Sequence, residues 1–268
     1  MASTEGYWPP NQPLPPHGGL CAIHQPNLFP RLSTLAKLFT ADYWIVLDDV
    51  QFTRRDYQHR ARLADLHQPE RWQWLSISTH LPAGRPTLIH QARITEPDRC
   101  QRRTAQMLHQ HYHSSPHWTT LQQAIQPILA LFTTTDRTAA IAEASTRALL
   151  DILDWKGQIL HSSQLHPRPG RTQRLADLAS TTQARAYLCG TGGMRYLDPD
   201  RFHSRGIEVI PFHTPTDAIW TTARQISALW PLMTLGPKAL TTQLHAIAQA
   251  HRRIPNDRPG PPQRHQLP

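Results

Sequence analysis

Two apolar runs constrain this chain more than any other feature. CAIHQP (21–26) and DYWIVLDDV (42–50) are short, uninterrupted and bounded by polar residues. Pro26 stops the first, and Asp48 and Asp49 lie in the second just after its apolar core. Between them Ser33 is placed to cap a short helix over 34–40. Strand, helix and strand within about 30 residues form a βαβ unit, whose strands must be parallel.

Further strands are expected at WQWLSIST (72–79), LIHQARI (88–94), QILHSS (158–163), AYLCG (186–190) and IEVIPF (207–212). Helices dominate 97–153. There Leu121, Ile125, Ile128, Leu129 and Phe132 keep helical spacing, as do Ile141, Ala144, Ala148, Leu149 and Ile152. Residues 171–180 and Thr222 to Met233 read as further helices. The expected fold class is α/β: a mostly parallel sheet flanked by helices, Rossmann-like, with a helical insertion around 97–153. One domain is expected over 19–250. The proline-rich segment 1–18 and the basic, proline-rich tail 251–268 are expected to be disordered.

Composition narrows the function classes. Of 28 basic residues, only Lys37, Lys156 and Lys238 are lysines, and the other 25 are arginines; with 19 acidic residues the net charge is +9. Such a surface attracts anions: a phosphate-bearing or acyl-donor small molecule, or tRNA. Arginine richness is also what a GC-rich genome produces without functional cause. No run approaches the roughly 20 apolar residues of a membrane span, and residues 1–18 lack the pattern of a secretory leader, so the cytoplasm is the expected location. The three cysteines lie far apart, with no CxxC and no HExxH, so zinc is not expected. No GxGxxG is present, which disfavours NAD. Oligomeric state is not readable.

IHQPNLFP (23–30), LDDVQF (47–52) with arginines behind it, SSQL (162–165) and CGTGGMRYLDPDRF (189–202) occur in that order. Together they resemble the WbqC-like family of bacterial proteins, over about residues 21–240. Matching positions are His24, Gln25, Pro26, Asn27 and Pro30, then Asp48, Asp49, Gln51 and Phe52, then Gly190, Tyr196, Leu197, Asp198 and Phe202. The resemblance implies a transferase of O-antigen polysaccharide or natural-product biosynthesis, with glycine or another aminoacyl group as cargo. The chain departs from the family pattern at Arg31 (commonly Trp), Ser33 (Gly), Cys189 (Ser) and Trp230 (an acidic residue).

In a parallel sheet, ligands collect beyond the carboxyl ends of the strands. His24 there is a candidate general base, and Asp48 or Asp49 a candidate orienting acid. The aspartate pair also suits Mg²⁺ beside a phosphorylated ligand. Gln25, Asn27 and Gln51 are candidate substrate contacts. Arg54, Arg55 and Arg60 supply donors for phosphate or carboxylate. Thr191, Gly192 and Gly193 follow a strand and present N–H groups to an anion, with Tyr196 and Asp198 on the same rim. Each has a plainer reading: a backbone-bonded histidine, strand-end caps, a solvated basic loop, a glycine turn, a helix cap at Asp198. Cys189 is a nucleophile candidate or simple packing. His109 and His113 share a helix face that suits either metal or solvent. Beside acyl or aminoacyl transfer, the alternatives are a nucleotidyltransferase-like nucleotide-binding enzyme, faintly resembled by the strand–HxxP–helix start, and a non-catalytic small-molecule or RNA-binding module.

Overall fold

The computed structural model describes residues 19–252. In chain order the elements are β1 (Leu20–His24), α1 (Leu32–Thr40), β2 (Tyr43–Val46), β3 (Arg60–Ala64), β4 (Trp72–Ser76), β5 (Thr79–His80) and β6 (Arg93–Ile94). Next come α2 (Pro97–Tyr112), α3 (Trp118–Thr134), α4 (Thr138–Ile152), β7 (Gln158–His161), α5 (Ser162–Leu165) and α6 (Arg171–Thr181). The chain continues through β8 (Ala186–Gly190), α7 (Asp200–His203), β9 (Glu208–Phe212), α8 (Leu229–Leu235) and α9 (Pro237–Arg252).

Five strands make one parallel sheet in the order β7-β2-β1-β8-β9. The apolar runs are continuous because both faces are covered. Alternate residues Leu20, Ala22, Trp44, Val46, Leu188 and Ile210 pack on one side with α1, α3, α4, α8 and α9. Cys21, Ile23, Tyr43, Ile45, Tyr187 and Cys189 pack on the other with α6 and α7. The α/β class and the central helices are as expected. Among the described residues no helix is long and apolar enough to cross a membrane.

The central strand β1 leads into α1 on the first face and then to β2. Its neighbour β8 leads into α7 on the second face and then to β9. The chain therefore leaves these two adjacent strands in opposite directions, which opens a crevice at their carboxyl ends.

Several expectations are corrected. Residues 72–76 form a strand, but it pairs antiparallel with Arg60–Ala64 outside the main sheet. That partner lies in the stretch read as a basic loop: Ala61 and Leu63 are buried while Arg60 and Arg62 point outward. Residues 88–94 give only a 3-10 turn at Ile89–Gln91 and the two residues of β6, because Leu88 bridges Gln51 and the backbone of Ile89 and His90 bonds Val50 and Asp48. Ser33 does not cap α1; the helix begins at Leu32, and the Ser33 amide donates to Ala223. The helix expected over 222–233 starts at Leu229, since Ser227 and Ala228 donate backbone bonds to Arg62 and Pro30, and Pro231 then sits in its first turn. Helix α9 was not expected, and it includes residues 251 and 252. The rest of the tail, 253–268, and the segment 1–18 lie outside the described residues. Gly236 joins α8 to α9 at φ +82°, where a side chain would also meet the His117 ring.

Candidate functional site

A cleft of about 450 Å³ fills the crevice between β1 and β8. His24 and Gln25 enter from the end of β1, and Gly190, Thr191, Gly192 and Gly193 from the end of β8. Helix α1 supplies Arg31 at its cap, then Ser33, Thr34 and Lys37. Tyr196 and Arg224 stand at the margin, and among the described residues Asp56 is the only carboxylate lining the cleft. Larger open grooves exist, but this one gathers buried polar groups at the strand ends.

Lys37 is 6% exposed. Its Nζ donates to the carbonyl of Ile23 at 3.3 Å and lies beside Gly190. Burial lowers its pKa to about 8, and the Arg31 charge acts in the same direction. Nothing else among the described residues takes its remaining donors.

His24 is half-buried, with Nδ1 2.8 Å from the Gln25 carbonyl. That contact fixes the neutral tautomer with hydrogen on Nδ1 and leaves Nε2 as an acceptor. Burial, then the charge of Lys37, brings its pKa down to about 3; Arg31 adds to this while the Gln25 bond opposes it. At neutral pH, His24 in the free protein is a neutral acceptor and a weak base.

The aspartates point elsewhere. Asp48 is 6% exposed. Its Oδ1 accepts from the Ser163 amide at 3.0 Å and its Oδ2 from the Ser163 hydroxyl at 2.8 Å. Ser162 Oγ lies between both carboxylates and accepts from the Asp48 amide. Asp49 pairs with Arg174. The strands β1 and β2 are neighbours, as expected, but neither aspartate lines the cleft with His24. With their oxygens engaged by serines, a backbone amide and a guanidinium, the pair does not fit a Mg²⁺ site. They anchor the β7–α5 junction to the end of β2.

Of the other expected residues, Gln25 lines the cleft and accepts at Oε1 from Gln58. Asn27 is buried; its carbonyl accepts from Ser145 and Thr146 of α4, and its Oδ1 has no partner among the described residues. Gln51 is exposed, donates to the Arg85 carbonyl, and with Arg54 and Arg55 borders a separate groove. Arg60 lies over the Trp74 ring, outside the cleft. Tyr196 is 49% exposed at the cleft mouth, with Arg171 against its ring. Asp198 lies one residue before the Pro199 cap of α7, accepts from the Asp200 amide and pairs with Arg201. The parallel register of Gly190 with Phe212 turns the Thr191 amide toward the Phe212 carbonyl, whereas the Gly192 amide has no backbone acceptor among the described residues. Cys189 is fully buried, its thiol pKa raised by that burial, and a side chain at Gly193 would touch its sulfur. His109 and His113 stack on each other at 4.6 Å, and no group of three metal-ligating side chains occurs among the described residues.

Sequence reasoning missed Lys37, Thr34 and Arg224. A signal for Lys37 was present: it is one of three lysines in an arginine-rich chain, and it sits inside the apolar stretch LAKLF. Of the departures from the family pattern, Arg31 lies in the cleft and adds a cation there. Trp230 is remote, donating to Leu66 beyond β3.

Comparison with known proteins agrees with the motifs. An uncharacterized protein of Mycobacterium tuberculosis, Rv1507c, is 23% identical over 194 residues, covering 71% of this chain and 80% of that protein. No solved structure matches. The WbqC-like protein family model matches residues 25–241, most of the described fold including every residue of the cleft except Ile23 and His24 at its edge, and the chain belongs to that family.

Proposed function

We propose that this protein transfers an acyl or aminoacyl group, such as glycyl, to an amine or hydroxyl acceptor in a biosynthetic pathway for a polysaccharide or natural product. An anionic group of one substrate is held in the switch-point cleft. The observation that carries this reading is the charge of the cleft: Lys37, Arg31 and Arg224 face one carboxylate, Asp56, beside a neutral histidine. A buried ammonium with one long bond to a carbonyl is an arrangement that an anion completes.

In this reading the anion sits on Lys37 and Arg31. Burial is the main cause of the low His24 pKa, and the anion's charge offsets the further lowering by Lys37 and Arg31, so the imidazole becomes a stronger base when substrate is bound. Nε2 then takes the proton of the acceptor as its nitrogen or oxygen bonds to the acyl carbonyl. The leaving group departs with its electron pair. The Gly192 amide is the donor for the transient oxyanion.

A hydroxylamine trap tests this without knowing the natural acceptor. Acyl phosphate, aminoacyl adenylate and aminoacyl ester donors are offered in turn, and enzyme-dependent hydroxamate is measured. At least one donor should react, and His24→Gln and Lys37→Met should abolish the reaction. A nucleotidyltransferase would instead release pyrophosphate from a nucleoside triphosphate, and a binding module would do neither; either result with an intact, anion-binding protein rejects the proposal.

A further inference from the structure

The outward face of the β3–β4 hairpin carries a ladder of rings and guanidinium groups. Register places Arg62 opposite Trp74 and Ala64 opposite Trp72, so Arg60, Arg62, Trp72 and Trp74 share that face. Arg62 lies 4.3 Å from the Trp72 ring centre and 4.9 Å from that of Trp74. Arg60 lies 4.3 Å from Trp74. Tyr57 continues the row, 5.8 Å from Trp74, and Arg31 covers Tyr57 at 4.1 Å. Arg31 also lines the cleft. The ladder thus starts at the cleft mouth and runs out across the hairpin.

Beyond it, a groove of about 620 Å³ separates β4 from α2. Trp72 and Trp74 form one wall, and Arg99, Arg102 and Arg103 the other. Arg99 is paired with Glu96, but Arg102, Arg103, Arg60 and Arg62 have no carboxylate partner among the described residues. Trp72 is 39% exposed, one of three large apolar side chains left in solvent among the described residues. The other two, Met194 and Tyr196, lie on the loop and 3-10 turn after β8, and Tyr196 lines the cleft.

We infer that this face binds an unpaired stretch of RNA, with bases stacked on Trp72 and its neighbouring guanidinium planes and phosphates held by Arg62, Arg102 and Arg103. A guanidinium lying flat on a ring keeps its edge N–H groups free for phosphate. An exposed indole offers every base the same stacking surface. Unpaired bases in folded RNA are recognised in this way, whereas a duplex hides its base faces. Overall positive charge is not the argument, since arginines occur throughout this chain. The argument is the alternation of rings with arginines in a groove whose walls hold no unpaired acid. The inference concerns binding alone and stands whether or not the cleft performs acyl transfer.

The test uses the full chain and a labelled single-stranded RNA of about a dozen nucleotides without self-complementarity, followed by fluorescence anisotropy. Wild type should bind the single strand more tightly than the matching duplex. Trp72→Ala should weaken binding about tenfold. Arg102→Glu with Arg103→Glu should weaken it at least about tenfold and flatten the dependence of log K on log salt by about 1.4. Lys156→Glu with Lys238→Glu makes the same charge change elsewhere and should cost less than about threefold. No RNA binding by wild type, equal binding of the duplex, no effect of Trp72→Ala, or an equal loss in the lysine control would overturn the inference. Should Trp72→Ala fail to fold, the exposed arginines of α2 still decide the matter against the lysine control.

Discussion

Lys37 and His24 face one cleft from different elements, and the ammonium of the first is the leading charged cause that keeps the imidazole of the second neutral. The lysine is the less comfortable partner, being 6% exposed and, among the described residues, bonded only to the Ile23 carbonyl. A buried charge of this kind costs stability and is retained where it binds something.

Lys37→Met should therefore move stability and binding in opposite directions. At pH 7 the variant should be more stable, by as much as about 3 kcal/mol from the depressed lysine pKa. The advantage is greatest below pH 8, where the buried amine is charged, and fades as pH rises from about 8 to 10.5, where the folded amine has lost its proton while the unfolded one still holds it. Sulfate, which does not titrate in this range, should bind wild type with half a proton taken up near pH 8 and more weakly above it. The variant should bind sulfate at least about tenfold more weakly and without proton uptake. Calorimetry in two buffers of different ionisation enthalpy reads both quantities. Equal sulfate affinity in the two proteins would remove Lys37 from the site.

Acid should destabilise the protein through its histidines. His24 has a folded pKa of about 3 and His59 of about 4, each lowered mainly by burial, against an ordinary value of 6.5. Between those limits the unfolded chain binds protons that the folded one refuses. Stability is thus full above about pH 6.5 and falls as pH drops toward 3. His24→Gln should flatten that fall by an amount on the order of a few kcal/mol, measured by urea unfolding at pH 7 and pH 4. In Lys37→Met, the His24 imidazole should titrate at higher pH, visible in its ring proton shifts. An unchanged titration there would refute the electrostatic link between the two residues.

The parts of the fold legible in the sequence are those whose signal is local. β1, β2 and β8 read directly because a strand buried on both faces must be continuously apolar, and the edge strand β9 because it keeps Val209, Ile210 and Phe212 in one short run. The strand-end rule put His24, Gln25 and Asn27 on one rim with Asp48 and Asp49, and of these His24 and Gln25 line the cleft. What failed depended on distant partners. Arg60–Ala64 looks like a solvated loop until Trp72 and Trp74 stand beside its arginines. Asp48 and Asp49 read equally well as ligands or as anchors, because the serines that claim them lie more than 110 positions further along. Lys37 sits on the core side of α1, and only the placement of that helix against β1 and β8 shows that its ammonium reaches the crevice. α9 was readable, since Leu240, Leu244, Ile247 and Ala248 keep helical spacing, but its many polar residues hid the stripe.

Asp48→Ala should destabilise without touching the cleft. It leaves the half-buried Ser163 amide and hydroxyl without their acceptor and frees the β7–α5 junction. A loss of about 2–4 kcal/mol is expected, lowering Tm by roughly 5–12 °C. Sulfate affinity below the transition should stay within about twofold of wild type, because Asp48 does not line the cleft. A stable Asp48→Ala protein that has lost sulfate binding would return the aspartate to the site.

Gly193 and Cys189 offer a test of packing against chemistry. A methyl group built at Gly193 would lie 2.6 Å from the Cys189 sulfur, too close without movement in a fully buried pocket. Gly193→Ala should cost about 1–3 kcal/mol by overpacking and displace the loop that carries the Thr191 and Gly192 amides. Cys189→Ala alone should cost about 1 kcal/mol, since it removes one buried atom, and should retain any hydroxamate-forming activity. Because deleting the sulfur makes room for the new methyl, the double variant should be more stable than the two losses added together, a coupling of at least about 0.5 kcal/mol. A raised thiol pKa already places the proton on this sulfur at neutral pH. Loss of activity in Cys189→Ala, with stability and sulfate binding intact, would show instead that the thiol takes part in the reaction.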